Sequence, residues 1–310
     1  MPNRSTLMLA PGADVPPEGG SILFIGTATV LVQLGPFTLL TDPNFLHAGD
    51  HAHLGYGLTS KRLTDPAVEI DALPPLDACV LSHLHGDHWD RVATARLPKG
   101  LPVLTTPAAA RTLRRRGFRE ARALDPWDEI TLRRGRSWLR ITAVPARHGP
   151  PLVHAALPSV IGTVWEVGHG AGPVRFRLYV SGDTLLHDRL AEIPRRFPHL
   201  DVGLFHLGGT RVLGLLVTMD AAQGLRAVRL VAPDLAVPIH YDDYTVFKSP
   251  IEDFARAVKE AGLMDRVHFI ARGERLPLRF GDVARSIEAA RAGGAPAWPP
   301  EAEPRPDEPH

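Results

Sequence analysis

One stretch of the chain, residues 82 to 90, places three imidazoles and a carboxylate directly behind the apolar run Ala78 to Leu81. The four side chains are those of His83, His85, Asp87 and His88. Alternate residues of an extended backbone lie on the same side, so the rings of His83 and His85 can converge on one ion. Gly86 permits a turn that directs the next two side chains toward a second ion. The stretch therefore predicts a metal site, with two cations, and not a polar surface loop.

Three further candidate ligands follow apolar runs that are typical of strands. His148 follows the run 139–144, Asp183 follows 176–180, and His240 follows 235–239. In open α/β sheets, ligands gather beyond the carboxyl ends of strands, so these ends are expected to meet the histidine-rich stretch at one cleft.

The order of these residues resembles the metallo-β-lactamase superfamily. The pattern is His83-x-His85-x-Asp87-His88, then His148, then Gly182-Asp183-Thr184, then His240. The resemblance runs from about Ser21 to Arg291, and Leu39 to Pro43 is similar to the superfamily's early strand and Asp turn. The ending Pro238-Ile239-His240-Tyr241 looks most like the branch that contains L-ascorbate-6-phosphate lactonase and N-acylphosphatidylethanolamine phospholipase D. The chain departs from that branch at Gly26-Thr27 and at Phe205 to Gly209.

The resemblance implies an α/β fold, a four-layer αββα sandwich whose two halves share one cleft. It implies a single hydrolase domain over residues 21–292. Residues 1–20 contain charged and Pro/Gly-rich segments and are expected to be a flexible N-terminal segment. Residues 293–310 are rich in Pro, Glu and Ala, which predicts a disordered tail.

The resemblance also implies a ligand set for two zinc ions, with manganese or iron as alternatives. His83, His85 and His148 would hold one ion, Asp87, His88 and His240 the other, and Asp183 would contribute to both. A hydroxide held between the two cations would attack the substrate, and Asp87 would carry the proton to the departing group.

Four other residues are candidates for outer contacts or substrate contacts. Asp42 is placed to accept a hydrogen bond from a metal-bound imidazole, or else it forms an Asp-Pro turn. His206 ends the predicted strand 202–205 and is either a core histidine or a substrate contact. Tyr241 and Lys248 are candidates for holding an anionic leaving group, unless the aspartates between them neutralise Lys248.

The segment from Phe45 to Ser60 is irregular in sequence and carries His47, His51 and His53. We expect it to be a loop that acts as a substrate-facing lid, with a third metal site as the alternative. A helix is predicted to open at Thr184, a strand at 267–271 and a final helix at 283–291.

Composition excludes few functions but is consistent with this interpretation. The formal charge is +1, so no strongly basic or acidic partner is expected at the level of the whole chain. Arginines are frequent between 111 and 136, but without interleaved aromatics they indicate a solvated face, and nucleic acid is not the expected partner.

The single cysteine, Cys79, cannot form an internal disulfide and is predicted to pack in the core. No signal peptide or membrane span is recognisable, which predicts a cytoplasmic protein.

The sequence therefore favours a zinc-dependent hydrolase of a small ester, lactone or phosphodiester. Two alternatives from other classes remain: an iron-dependent oxidoreductase of the same superfamily, and a nucleic-acid-processing hydrolase. The oligomeric state and the physiological substrate have no signature in the sequence.

Overall fold

The fold comes from a computed structural model that describes residues 2–12, 15–55, 57–150, 157–212 and 214–282. Its strands, numbered along the chain, are β1 (Arg4–Met8), β2 (Gly19–Gly26), β3 (Thr29–Leu34), β4 (Phe37–Thr41), β5 (His51–Gly55), β6 (Leu58–Lys61), β7 (Ala78–Val80), β8 (Val103–Thr105), β9 (Ala121–Ala123), β10 (Glu129–Arg134), β11 (Ser137–Pro145), β12 (Ile161–His169), β13 (Phe176–Val180), β14 (Val202–His206), β15 (Arg211–Val212), β16 (Leu215–Leu216), β17 (Leu235–Ile239) and β18 (Arg275–Arg279).

The α-helices of the described residues are short. They are α1 (Arg91–Arg96), α2 (Pro107–Arg115), α3 (Glu192–Arg196), α4 (Ala221–Val231) and α5 (Ile251–Glu260), with 3₁₀ turns at Ile70–Ala72, Asp188–Ala191 and Met264–Arg266. Three helices begin after a side chain that accepts a hydrogen bond from the first turn: Asp90 before α1, Thr106 before α2 and Asp220 before α4. None of the described helices is long and apolar enough to cross a membrane.

The strands form two large sheets. The first sheet has the order β18-β2-β3-β4-β7-β8-β9, and the second has the order β1-β10-β11-β12-β13-β14-β17. In the first sheet β4, β7, β8 and β9 run parallel, and in the second β13, β14 and β17 run parallel. The carboxyl ends of each parallel group therefore lie along one edge of their sheet. The backbone N–H of Ile161 donates to the carbonyl of Ser82 over 3.1 Å, which joins the two sheets near these ends.

Alternation along the strands divides the apolar side chains between an inner and an outer layer. In β2, Ile22 and Phe24 belong to the core between the two sheets, whereas Leu23 and Ile25 belong to the cluster that packs against α1 and α2. The same alternation separates Val80 from Cys79 in β7. Cys79 is fully buried in the outer cluster, which confirms its predicted place in the core.

Helices α3, α4 and α5 cover the outer face of the second sheet. Their buried side chains, including Ile193, Val228 and Phe254, pack with Phe205 and Ala236 of the strands beneath them. With α1 and α2 on the other side, the order of layers is helix, sheet, sheet, helix. The predicted αββα sandwich is confirmed.

Several local predictions differ from the structure. The stretch expected to be an irregular lid contains a hairpin, β5–β6, whose backbone pairs His51 with Lys61. No helix opens at Thr184; its hydroxyl instead accepts from the N–H of Arg147 and donates to the carbonyl of Leu185, and helical structure begins at Asp188. Residues 267–271 form only a single bridge from Val267 to Ala236, and the next strand is β18.

The ends of the chain also differ from the expectation in part. Five residues of the segment expected to be flexible, Arg4–Met8, form β1 and pair in parallel with β10. Pairing of an edge strand depends on a distant partner, which a short polar segment does not reveal. The helix predicted at 283–291 and the tail at 293–310 lie outside the described residues.

We predict that Trp165→Ala lowers the free energy of unfolding by about 3–5 kcal/mol, because it leaves a cavity between the sheets. Trp165 is 0% exposed and belongs to the inner core. Urea denaturation measures the change. The control is Met8→Ala at a side chain that is 73% exposed, which is expected to change stability by less than about 0.5 kcal/mol. Equal losses in the two variants would contradict the location of the core.

Candidate metal centre

Loops after four strands deliver the predicted ligands to one place. The loop after β7 carries His83, His85, Asp87 and His88, and the loops after β11, β13 and β17 carry His148, Asp183 and His240. Donor atoms of these side chains form two buried groups, and within each group they lie within 4.8 Å of one another. The structure thus brings together all seven residues predicted as ligands.

The first group consists of three imidazoles, those of His83, His85 and His148. Nε2 of His83 lies 2.9 Å from Nδ1 of His85, and the His148 ring centroid lies 5.1 Å from that of His83 and 5.2 Å from that of His85. All three side chains are buried. Three ring nitrogens that face one another in this way form a donor set that suits a transition-metal ion.

The second group combines two carboxylates with two imidazoles, from Asp87, His88, Asp183 and His240. Nε2 of His88 lies 3.3 Å from an oxygen of Asp183, and Nε2 of His240 lies 3.4 Å from an oxygen of Asp87. The two groups are neighbours, since the ring centroids of His83 and His88 are 4.2 Å apart. One oxygen each of Asp87 and Asp183, and Nε2 of both histidines, have no hydrogen-bond partner among the described residues.

The environment of the first group favours neutral imidazoles. Burial lowers the pKa of His83 well below its usual value, and burial with the nearby His148 lowers the pKa of His85 to about 4. Burial also lowers the pKa of His148. At neutral pH these rings therefore carry free lone pairs, the form in which histidine binds a metal.

The second group is held together by charge. Burial alone lowers the pKa of His88 and of His240, but the carboxylates of Asp183 and Asp87 outweigh it and raise both pKa values. Burial raises the pKa of Asp183, but the neighbouring His240 and His88 bring it well below its usual value. The carboxylates are thus ionised in a buried place, and their unpartnered oxygens fit a divalent cation as the compensating charge.

Outer contacts fix the orientation of the proposed ligands. Nδ1–H of His148 donates to the carbonyl of Val217 over 2.9 Å, and Nδ1–H of His240 donates to the carbonyl of Leu207 over 3.2 Å. Both contacts leave Nε2 free to bind an ion. The hydroxyl of Thr218 donates to Asp183 over 3.1 Å, and the hydroxyl of Ser82 lies 3.0 Å from Nδ1 of His83.

Asp42, predicted as an outer contact, and His206, predicted as a core histidine or a substrate contact, lie behind His88. One oxygen of Asp42 accepts from the N–H and the hydroxyl of Ser82 and lies 3.4 Å from Nδ1 of His88. Its other oxygen lies 3.6 Å from Nε2 of His206, and the His206 ring stacks on the His88 ring with centroids 5.9 Å apart. Burial raises the pKa of Asp42, but His88 and His206 lower it to about 2. Asp42 is therefore a carboxylate that holds an imidazole of the second group in place.

Two of these residues adopt a backbone conformation that L-residues rarely use. Asp42 has φ of 35° and His240 has φ of 64°, and Thr27 nearby has φ of 53°. Such conformations cost free energy and persist only where the surroundings enforce them.

A buried arginine supports the loops around the site and was not predicted from the sequence. Arg62 is 0% exposed and pairs with Asp243 over 3.3 Å. Its guanidinium also donates to Thr27 and to the side-chain oxygen of Asn44. The amide of Asn44 in turn donates to the carbonyl of Gly86 over 2.8 Å, which ties this network to the histidine-rich loop.

Other predicted candidates lie away from the centre. Tyr241 packs in the apolar cluster under α4 and α5 and is not among the described residues of the cavity wall beside the ligand groups, and its role in holding a leaving group stays a prediction. Lys248 is exposed and does not line the cavity beside the clusters, and the aspartates before it pair with arginines instead, Asp242 with Arg272 and Asp243 with Arg62.

The histidines at 47, 51 and 53 join none of the clusters of potential ligands that the described residues form. His47 contacts Asp65 and Glu69, and the carbonyl of His53 accepts from the N–H of Gly86 over 2.9 Å. A Cβ atom at residue 86 would lie 2.6 Å from the backbone N and O of His53, so only glycine allows this approach.

Comparison with known proteins agrees with the fold. Residues 39–241 match the family model described as the β-lactamase superfamily domain. The chain belongs to the metallo-β-lactamase superfamily. It is similar to a metal-dependent hydrolase of Thermus thermophilus, with 29% identity over 83% of this chain and 98% of that protein.

Two solved structures share the superfamily fold with this chain. The isothiocyanate hydrolase from Delia radicum gut bacteria has a TM-score of 0.71 at 20% identity, over 84% of this chain and 99% of that one. A metallo hydrolase from the archaeon Ignicoccus hospitalis has a TM-score of 0.63 at 19% identity, over 84% and 99% of the two chains. At these identities the likeness concerns the fold.

We predict that Asp42→Asn weakens metal binding by about 10- to 100-fold, the scale expected when an outer contact of a metal-bound histidine is removed. Competition with a chromogenic chelator measures the affinity. Asp77→Asn is the control, because Asp77 is a partly buried carboxylate that pairs with Arg134. If both variants bind metal as tightly as the unmodified chain, Asp42 does not support His88 in the way described.

Proposed function

We propose that this chain is a metal-dependent hydrolase that uses two zinc ions to cleave a small ester, lactone or phosphodiester. The observation that carries the proposal is the pair of adjacent buried groups, whose carboxylate and imidazole atoms are left without partners. His83, His85 and His148 would hold one ion, and Asp87, His88 and His240 the other. Asp183 would contribute to both. When bound, the cations would polarise the substrate oxygen and lower the pKa of water in the cleft.

The residues of the chain account for the remaining requirements of hydrolysis. His85, Asp87, His148 and Asp183 line one cavity, so a substrate that enters it meets both groups. Burial raises the pKa of Asp87, but His88 and His240 lower it, so this carboxylate is ionised and can take a proton from water and pass it to the departing group. The outer contacts of His148 and His240 hold their rings in place, so little reorganisation is needed during the reaction.

Hydrolysis is tested by a turnover screen of the zinc-loaded protein against a bis-aryl phosphodiester, an aryl ester and a lactone. An aryl isothiocyanate joins the panel, because one structural neighbour is an isothiocyanate hydrolase. We expect Asp183→Ala to lower kcat/KM by at least about 100-fold, because it removes the carboxylate proposed to contribute to both ions, and loss of an outer contact alone costs up to that much. Asp234→Ala, at a half-exposed carboxylate of another surface, is the control. Full activity in Asp183→Ala would show that the reaction centre lies elsewhere.

The identity and number of the ions are tested by metal analysis of protein purified without added metal. We expect about two zinc ions per chain, one for each ligand group. Histidine and carboxylate ligands also suit iron, so iron at that stoichiometry, together with oxygen consumption, would favour an iron-dependent oxidoreductase. His148→Ala is expected to reduce the content to about one ion, since it removes a ligand of the first group only. A chain that retains no cation would contradict both interpretations.

A further inference from the structure

A small cavity of about 30 Å³ lies directly beside the two ligand groups and opens to solvent at Leu58. Part of its wall is formed by four of the proposed ligands, His85, Asp87, His148 and Asp183. The other described residues of the wall are apolar except for Thr210; they are Leu54, Leu58, Leu157, Val212 and Val217. The described wall is therefore polar and charged beside the ligand groups, where the reaction would take place, and mainly apolar where the rest of a substrate would lie.

Four of these apolar side chains lie on or next to two hairpins, Leu54 and Leu58 on β5–β6 and Val212 and Val217 on β15–β16 or directly after it, and each hairpin is tied to a segment that bears ligands. The carbonyl of His53, in the β5–β6 hairpin, accepts from the N–H of Gly86 over 2.9 Å. The N–H of Val217 donates to Thr210, which closes the β15–β16 hairpin, and the carbonyl of Val217 accepts from His148 over 2.9 Å. Backbone contacts thus set the distance between the apolar walls and the ligand groups.

The arginines nearest to this cavity in the chain each contact groups outside its wall. Arg62 pairs with the buried Asp243, Arg147 donates to the carbonyl of Leu186, and Arg211 donates to the carbonyl of Gly214. No lysine or arginine is among the described residues of the wall. A charged substituent placed between the hairpins would lose its hydration and gain no opposite charge from the described wall.

Leu54 and Leu58, on the two strands of the β5–β6 hairpin, favour an apolar substituent. Leu58 is 42% exposed, although it is a large apolar side chain, and it lies at the cavity. Leu54 is partly buried against a small apolar cluster that includes Leu46 and Phe247. A substituent that covers both leucines would remove apolar surface from water, which favours binding.

We propose that the substrate is an uncharged acyl compound, an ester or lactone, with a small apolar substituent that lies between the β5–β6 and β15–β16 hairpins. This inference rests on the proposed function and narrows it, since it excludes substrates that carry a second, anionic group. In the reaction the oxygen of water forms a bond to the acyl carbon and the bond from that carbon to the leaving oxygen breaks. One proton of the water ends on the leaving oxygen, and the other is released when the new carboxyl group ionises.

The substrate class is tested with two esters that share one leaving group. 4-Nitrophenyl butyrate ends its four-carbon acyl chain in a methyl group, and mono-4-nitrophenyl succinate ends its four-carbon chain in a carboxylate. After subtraction of the spontaneous rates, we expect kcat/KM to be at least about 10-fold higher for the butyrate. Equal values, or a preference for the succinate, would overturn the inference while leaving hydrolysis itself established.

A matched pair of variants locates the selectivity. Leu58→Lys places a cation at the mouth of the cavity and is expected to lower the preference for the butyrate by about 5- to 10-fold. Leu63→Lys introduces the same charge at another exposed leucine, 48% exposed and outside the cavity wall, and is expected to leave the preference unchanged within about 2-fold. The inference is wrong if the two lysine variants behave alike.

A binding measurement decides the same point without turnover. N-phenyl-1-naphthylamine is neutral, and 8-anilinonaphthalene-1-sulfonate is its anionic counterpart, and both fluoresce in apolar surroundings. We expect the neutral dye to bind the zinc-loaded protein about 10-fold more tightly, and Leu58→Lys, but not Leu63→Lys, to reduce the difference. If no ester is cleaved but this pattern holds, the proposed function fails and the selectivity of the cleft stands. If the dyes bind alike, the inference about the cleft fails.

Discussion

Buried, ionised carboxylates beside buried imidazoles are the constraint on which the rest of this structure depends. Asp87 and Asp183 lie among His83, His88 and His240 with oxygens that no described group satisfies. A charge removed from water in this way is tolerated only with a compensating partner, and a divalent cation is the partner that these donor atoms fit. Because the ligands come from loops after four different strands, metal binding and the approach of the two sheets are expected to reinforce each other.

The candidate metal ligands could be predicted from the sequence because the pattern that indicates each of them is local. Each predicted ligand directly follows an apolar run that is long enough to be a buried strand, and strand ends of one direction meet at one edge. The division of one strand between layers was not visible in the sequence, because Ile22 and Leu23 belong to one continuous apolar run and only the fold places them in the inner core and the outer cluster. What stayed hidden depends on distant partners. β1 exists because β10 offers it an edge, and Arg62 is buried because Asp243, 181 positions away, meets it.

Several features of the site could not be predicted from the sequence, because they depend on the path of the backbone and on contacts between distant residues. Tyr241 follows a ligand in the sequence, but the left-handed backbone at His240 redirects the chain, and Tyr241 packs under the helices. The contacts that orient His148 and His240 are main-chain carbonyls, which every residue possesses and no motif can identify. Thr218 and Ser82 are ordinary hydroxyl residues in the sequence and become informative only through what they touch.

The unusual backbone at Thr27, Asp42 and His240 has an implication for how far such a chain can be improved. Each position holds a side chain that the site uses or that contacts its supports, in a conformation that glycine would adopt at lower free energy. Replacement by glycine would relieve this backbone strain and stabilise the fold. It would also remove a proposed ligand at His240, the carboxylate behind His88 at Asp42, or the hydroxyl that contacts Arg62 at Thr27. Selection for thermal stability alone would therefore favour substitutions at these three positions, and metal binding and activity would be the first properties lost.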